Sequence, residues 1–297
     1  MTGELIAFGS AVLYALSGVS IARGAPQARG DNGAFLSVVM TAAFSLAFWL
    51  LGDGPDLLAA GPAPWVAIAL FIGSGLFSTV LGRVAMFRAV ECGGAIRASM
   101  MRRLTPVFAA LFAVLLLSEL PRLPALAGMA LILAGVAVLS RPGGDAGATR
   151  RNWAGWGAAS AGSYGLAYVL RKMALIQLPG AAFGALVGAV TGLAWYLLAA
   201  PFSRHVRRAV TGLLRDSGRW QFVTATTMAL AQIGQFMALQ RSDVATVAVI
   251  GSTETVISII LASRIFGTES RPGALLWAGA ILSTAGMVLI SLSSNPA

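Results

Sequence analysis

The chain has 297 residues, of which 57% are hydrophobic and only 11% charged, with a mean hydropathy of +0.80. A soluble globular domain carries about 25% charged residues, so this composition excludes one and points to a protein built inside a bilayer. The net charge of +10, which in a soluble domain would suggest a nucleic-acid partner, comes from arginines placed mainly between apolar stretches and reads as a topology signal.

About ten apolar stretches approach the ~20 residues a helix needs to cross a bilayer. In chain order they cover 3–22, 33–52, 64–87, 95–117, 123–140, 152–170, 179–201, 220–240, 244–265 and 273–293. Connections mostly shorter than about 15 residues leave no room for a soluble domain. The first stretch opens with "MTGELIAFGS", which lacks a basic n-region, and its apolar run outlasts an h-region, so an uncleaved first helix is expected. The third carries Arg83, and the boundary of the fourth is open. If the fourth starts at Ala95, Arg102 and Arg103 stand inside the membrane and make a cavity mouth basic; if it starts near Met101, they are interfacial anchors.

In the seventh stretch Gly180, Gly184, Gly188 and Gly192 recur every four residues, a tripled GxxxG that lets another helix approach closely. The loop "RHVRRAVTGLLRDSGR" (204–219) places Val206, Val210 and Leu213–Leu214 on one helical face with arginines opposite, the pattern of a helix lying on an anionic membrane surface. Its His205 is the only histidine and Cys92 the only cysteine, which excludes an intrachain disulfide. In the ninth stretch Glu254 sits near the middle, too deep for a short carboxylate to reach the interface. Such a group costs at least about 2.5–3.5 kcal/mol to insert, so it is expected to face a cavity or a partner.

Loops after odd-numbered spans hold fourteen basic residues: Arg23, Arg29, Arg88, Arg97, Arg141, Arg150, Arg151, Arg204, Arg207, Arg208, Arg215, Arg219, Arg264 and Arg271. Even-numbered loops hold four, Arg122, Arg171, Lys172 and Arg241. The positive-inside rule then predicts cytoplasmic odd loops and both termini outside.

Offsetting the sequence by about 150 residues reveals a duplication. "SAVLYALSGV" (10–19) lies over "SAGSYGLAYV" (160–169), and "AGMALILAGVAVLS" (127–140) over "AGAILSTAGMVLIS" (278–291), with Gly128/Gly279 and Gly135/Gly286 in register. Two five-span halves follow, 1–145 and 146–297. An odd number of spans per half forces opposite insertion, so the expected fold is all-α integral membrane: ten transmembrane helices as two inverted five-helix repeats. Such repeats place a substrate site near the midplane between the halves.

The same register puts Arg83 over Gln232 and Thr105 over Glu254, two slots that are polar in both halves. Arg83, Gln232, Thr105 and Glu254 are therefore the candidate binding constellation. Arg83 would face a carboxylate and Glu254 an ammonium; the alternative is that the two neutralise each other as a structural pair. Arg103 at the cavity mouth, and Tyr14, Tyr164, Tyr168, Met100 and Met228 as amphipathic walls, complete the candidate site; packing at helix interfaces is the alternative for the aromatics and methionines.

The chain also resembles the EamA-type members of the drug/metabolite transporter superfamily over nearly its whole length. The resemblance rests on "RLTPVFAALFAVLLLSE" (103–119) followed by "PALAGMALILAGVAVLS" (124–140), and on "STETVISIILASRIFGTE" (252–269), where Thr255 replaces the proline that often follows the family's glutamate. The Arg102–Arg103 pair is a second departure. The resemblance implies ten spans in two repeats and export or exchange of small metabolites, amino acids first among them. It also implies cytoplasmic termini, opposite to the charge count.

No GxxxxGK[ST] phosphate loop occurs, no Ser/His dyad or metal-ligand cluster is available within the bilayer, and the few aspartates all lie in loops. The expectation is a non-enzyme without cofactor, in a bacterial inner membrane, a monomer or weak homodimer, with a small-molecule substrate, the lipid bilayer and protons as candidate partners and no nucleic acid. A channel-like or scaffold membrane protein is the alternative.

Overall fold

The computed structural model describes residues 2–28, 30–52, 64–117, 123–139, 152–242, 247, 250–251, 253–269 and 273–294. Arg29, Arg122, Arg141, Arg150, Arg151 and Arg271 of the loop count, Glu119 of the family-like motif, and the expected boundary between residues 145 and 146 lie outside these.

The described elements are helical throughout. In the first half they are α1 (Thr2–Gly24), α2 (Ala34–Leu51), α3 (Pro64–Gly75), α4 (Arg83–Met101), α5 (Thr105–Leu117) and α6 (Leu123–Leu139). The second half has α7 (Trp153–Gln177), α8 (Ala181–Ala199), α9 (Arg204–Thr211), α10 (Arg219–Arg241), α11 (Thr253–Ile260) and α12 (Ala274–Ser294). A π-helical stretch, Leu76–Gly82, joins α3 to α4, and a 3₁₀ turn, Arg102–Leu104, joins α4 to α5.

The third and fourth spans form one helical run broken at Gly94, whose φ of 85° and ψ of 166° leave the helix. The fourth span therefore starts at Ala95. Arg102 and Arg103 stand two turns inside it, Arg103 only 2% exposed, which rules out the interfacial-anchor reading. A second correction concerns Arg171. The apolar window ends near residue 170, but α7 continues to Gln177 and buries Arg171 to 2% exposure, so it is a cation inside the helical bundle and no loop charge.

Helix pairing follows the duplication. The first span packs on the eighth (α1 on α10) and the sixth on the third (α7 on α3 and α4); the fifth packs on the tenth (α6 on α12) and the second on the seventh (α2 on α8). Exchanging the halves maps each pairing onto another or onto itself. In lipid such packing is driven by close contact at small residues. The α8 glycines supply it: an added methyl would come within 2.5 Å of the Phe71 ring at Gly184 and within 2.7 Å of Thr79 at Gly192, while Gly188 lies against Gly75. Large apolar side chains face outward along the helices, among them Leu50, Leu115, Leu133 and Leu198, as a lipid-facing surface requires.

The described parts of the odd-numbered loops gather on one face. Arg23 Nη1 donates to the Phe266 carbonyl at 2.7 Å, Gln221 Nε2 to Asn32 Oδ1 at 2.9 Å, and the Glu269 carboxylate accepts from Ala95 N at 2.6 Å. Helix α9 lies on that face, capped by Ser203, with Val206 and Ala209 packed against Phe35, Val38 and Tyr196 and its arginines exposed.

Candidate functional site

A cavity of about 770 Å³, including its open mouth, lies between the halves. Its walls come from α1 (Ser10, Tyr14), the 3₁₀ turn and the start of α5 (Arg102, Arg103, Thr105), α7 (Tyr168), α10 (Gln235) and α11 (Glu254, Thr255). The lining continues along α1 to Ala7 and along the ninth span to Val247, toward the face that carries the start of α1. On the odd-loop side the helices close over a packed core containing Val19, Phe87, Val90, Ile96 and Ala262.

Arg102 is the centre of the site. Its guanidinium lies 3.3 Å from Glu254 Oε1, 4.3 Å from the ring centre of Tyr14 and 5.3 Å from that of Tyr164. Tyr14 and Tyr164 are the equivalent residues of the duplication, so the two halves close like a pair of aromatic jaws on one cation. Both members of the ion pair keep a little exposure, 11% and 10% of their side chains, where they meet the cavity.

Arg103, the next residue, turns away. Its Nε donates to Thr255 Oγ1 at 3.0 Å, and its Nη1 reaches the Ala280 carbonyl, Ser283 Oγ and Thr284 Oγ1 at 2.6–2.8 Å. It ties the fourth span to the ninth and tenth spans of the other half and forms part of the wall.

The two equivalent polar slots do meet. Arg83 donates to Gln232 Oε1, and also to Ser37 Oγ at 2.9 Å and Thr41 Oγ1 at 3.3 Å. This cluster is fully buried and lies outside the cavity wall, so Glu254 takes Arg102 as its partner and not Arg83. Thr105 and Glu254, the other slot, both line the cavity. Tyr168 lines it as well; Tyr164 backs Arg102 from outside the wall; Met100 and Met228 are buried in the core beneath.

Three residues in or beside the site had no site role in the sequence reading, Arg171 having been counted as a loop charge. Ser10 holds α1 to α10 through the Ala231 carbonyl at 2.6 Å. Gln235 accepts from the Tyr14 hydroxyl at 3.2 Å and from Arg171 at 3.4 Å, and donates to the Tyr168 oxygen. A second amide one helical turn from Gln232, in an otherwise apolar span, was the available signal. Arg171 also contacts Ser78 Oγ at 3.4 Å and stacks on Phe236, 3.7 Å from its ring centre. Among the described residues no three His, Cys, Asp or Glu side chains gather as a metal site.

The model of a family described as the EamA-like transporter family matches residues 1–141 and again 151–292. No curated protein matches the chain in sequence. The chain is similar in fold to a crystal structure titled only as that of a protein, with a TM-score of 0.64 and 20% identity over 98% of this chain and 96% of the other.

Proposed function

The chain belongs to the EamA-like transporter family, and from that premise we propose that it is a secondary active transporter of small amphipathic metabolites, with amino acids the first class to test. Export or exchange proceeds by alternating access, the two halves rocking about the Arg102–Glu254 cavity. The observation that supports this reading is the position of that ion pair: inside the helical bundle, between the equivalent residues Tyr14 and Tyr164 of the two halves, beside a cavity that runs toward one face and above a packed core toward the other. Inverted repeats place their binding sites in this way.

In this mechanism a substrate carboxylate competes with Glu254 for Arg102. Released from its cation, Glu254 either meets a substrate ammonium or takes up a proton, which would make protons the coupling ion. The protein acts as a monomer or weak homodimer in a bacterial inner membrane. Counterflow in proteoliposomes tests the reading. A carrier preloaded with substrate accelerates entry of labelled substrate, whereas a channel-like protein or a scaffold shows no exchange-stimulated flux.

A further inference from the structure

Within that transporter reading, on which this inference rests and whose substrate class it moves from amino acids to anions, we infer that the cavity selects net-negative solutes: small organic carboxylates with an aromatic or apolar body and no compensating ammonium. The reason is a surplus of buried positive charge, to which Arg171 in α7 contributes.

Among the described residues Glu254, which Arg102 holds, is the only carboxylate buried within the bundle; Glu269, Glu91 and Asp31 keep partial exposure at the odd-loop face. Arg83 and Arg171 are as deeply buried, 0% and 2% exposed, and neither forms an ion pair among the described residues. Guanidinium groups do not deprotonate in proteins, so both stay charged. Each has only neutral partners, and the Nε of each has no hydrogen-bond partner. The bonds from Arg171 to Ser78 and Gln235 are long, 3.4 Å each, and a neutral oxygen at that distance does little to offset a buried cation. A zwitterion entering the cavity leaves this surplus untouched, whereas an anion offsets it.

The hydrogen bonds carry the surplus to the cavity wall. Arg171 donates to Gln235 Oε1, and Gln235 Nε2 donates to the Tyr168 oxygen. The Tyr168 hydroxyl thus already accepts, and its own proton is left to donate into the cavity that Tyr168 lines. Arg102 meets Glu254 through one nitrogen only, so its Nη2 and Nε, without partners among the described residues, present a fork for a second carboxylate. The wall therefore ends in donors. Tyr14, Tyr168, Pro106 and Met287 provide flat apolar surface beside them.

A charge series on one skeleton tests this. N-acetylphenylalanine is an anion, phenylalanine a zwitterion and phenylalanine methyl ester, below neutral pH, a cation. Binding is read as ligand-induced thermal stabilisation of the purified full chain, and transport as counterflow in proteoliposomes. The anion is expected to bind at least about tenfold more tightly than the zwitterion, and the ester not at all. Arg171→Met should erase most of that preference and Arg171→Lys keep it. Equal or tighter binding of the zwitterion or the ester in the wild-type protein overturns the inference, as does the absence of binding by all three; an unchanged ranking in Arg171→Met overturns its origin in Arg171. If the anion binds with the expected ranking but drives no counterflow, the transporter reading falls and the anion site stands.

Discussion

Gly128 of α6 and Gly286 of α12 cross back to back: a methyl added at Gly128 would come within 2.6 Å of the Gly286 carbonyl oxygen. One at Gly135 would come within 2.7 Å of the Gly279 carbonyl oxygen. Because Gly128 corresponds to Gly279 and Gly135 to Gly286 in the duplication, the two contacts are each other's image under exchange of the halves. They also run antiparallel. A helix pair that maps onto itself in this way contains the in-plane two-fold axis, so these four glycines are where the inverted repeat is built into the packing.

Gly128→Val and Gly286→Val are accordingly expected to lower stability by about 1–3 kcal/mol each, since the added methyls meet backbone and the helices must separate. Melting of the detergent-solubilised protein checks this. Gly9→Ala and Gly155→Ala, where an added methyl has nothing within 4 Å, should leave the melting temperature unchanged or raise it slightly, because alanine is the better helix former. Equal losses at all four positions would mean that the close crossing is not what these glycines serve, since helix propensity alone favours each replacement over glycine.

The spans and the duplication were legible because each has a simple physical signature, apolar length for the helices and repeated residues for the halves. The identity of the ion pair was not. Arg102 and Arg103 sit on a 3₁₀ turn, where successive residues are rotated by roughly 120°, so one meets Glu254 and the other crosses to Ser283 and Thr284. No alignment of the halves encodes that rotation. Arg171 was misplaced for a different reason: hydropathy windows end at the first charge, and only the continuation of α7 to Gln177 shows that the helix carries it inward.

Glu254→Gln removes one charge of the pair while preserving shape, leaving Arg102 uncompensated. Loss of one partner of a buried pair typically costs about 3–5 kcal/mol, and the residual exposure at the cavity should bring the loss to the lower end. The double change Arg102→Met with Glu254→Gln should recover most of the stability but no transport, because it removes both groups offered to substrate. A double-mutant cycle on melting temperature, run beside counterflow, separates the two effects. Full transport by Glu254→Gln, with unaltered pH dependence, would take Glu254 out of the mechanism.

The odd-loop face carries most of the arginines, and the positive-inside rule assigns it to the cytoplasm. In a background of Cys92→Ala, Thr211→Cys on the exposed side of α9 and Gln177→Cys at the end of α7 report on opposite faces. An impermeant thiol reagent added to intact cells should label Gln177→Cys and spare Thr211→Cys. The reverse pattern would give the chain the cytoplasmic termini usual in its family, with the cavity mouth opening to the cytoplasm.

Glu269 closes the break between the third and fourth spans. Its Oε1 accepts from Ala95 N and Ile96 N at 2.6 and 3.2 Å, and a methyl on Gly94 would come within 2.7 Å of its carboxylate. Burial pushes this carboxyl above its ordinary value of about 4.5, the two backbone bonds and Arg97 opposing. The folded protein thus holds the Glu269 proton more tightly than the unfolded chain. Its contribution to stability is full below that ordinary value and is lost as pH rises through the higher folded value. Glu269→Gln keeps an acceptor for both backbone N–H groups and cannot ionise, so its melting temperature should fall less than that of the wild-type protein as pH rises from about 4.5 to neutral. Glu269→Ala, which leaves both donors without their acceptor, should be less stable by about 1–3 kcal/mol throughout that range. Parallel pH profiles for wild type and Glu269→Gln would show that Glu269 ionises as freely in the folded protein as in the unfolded chain.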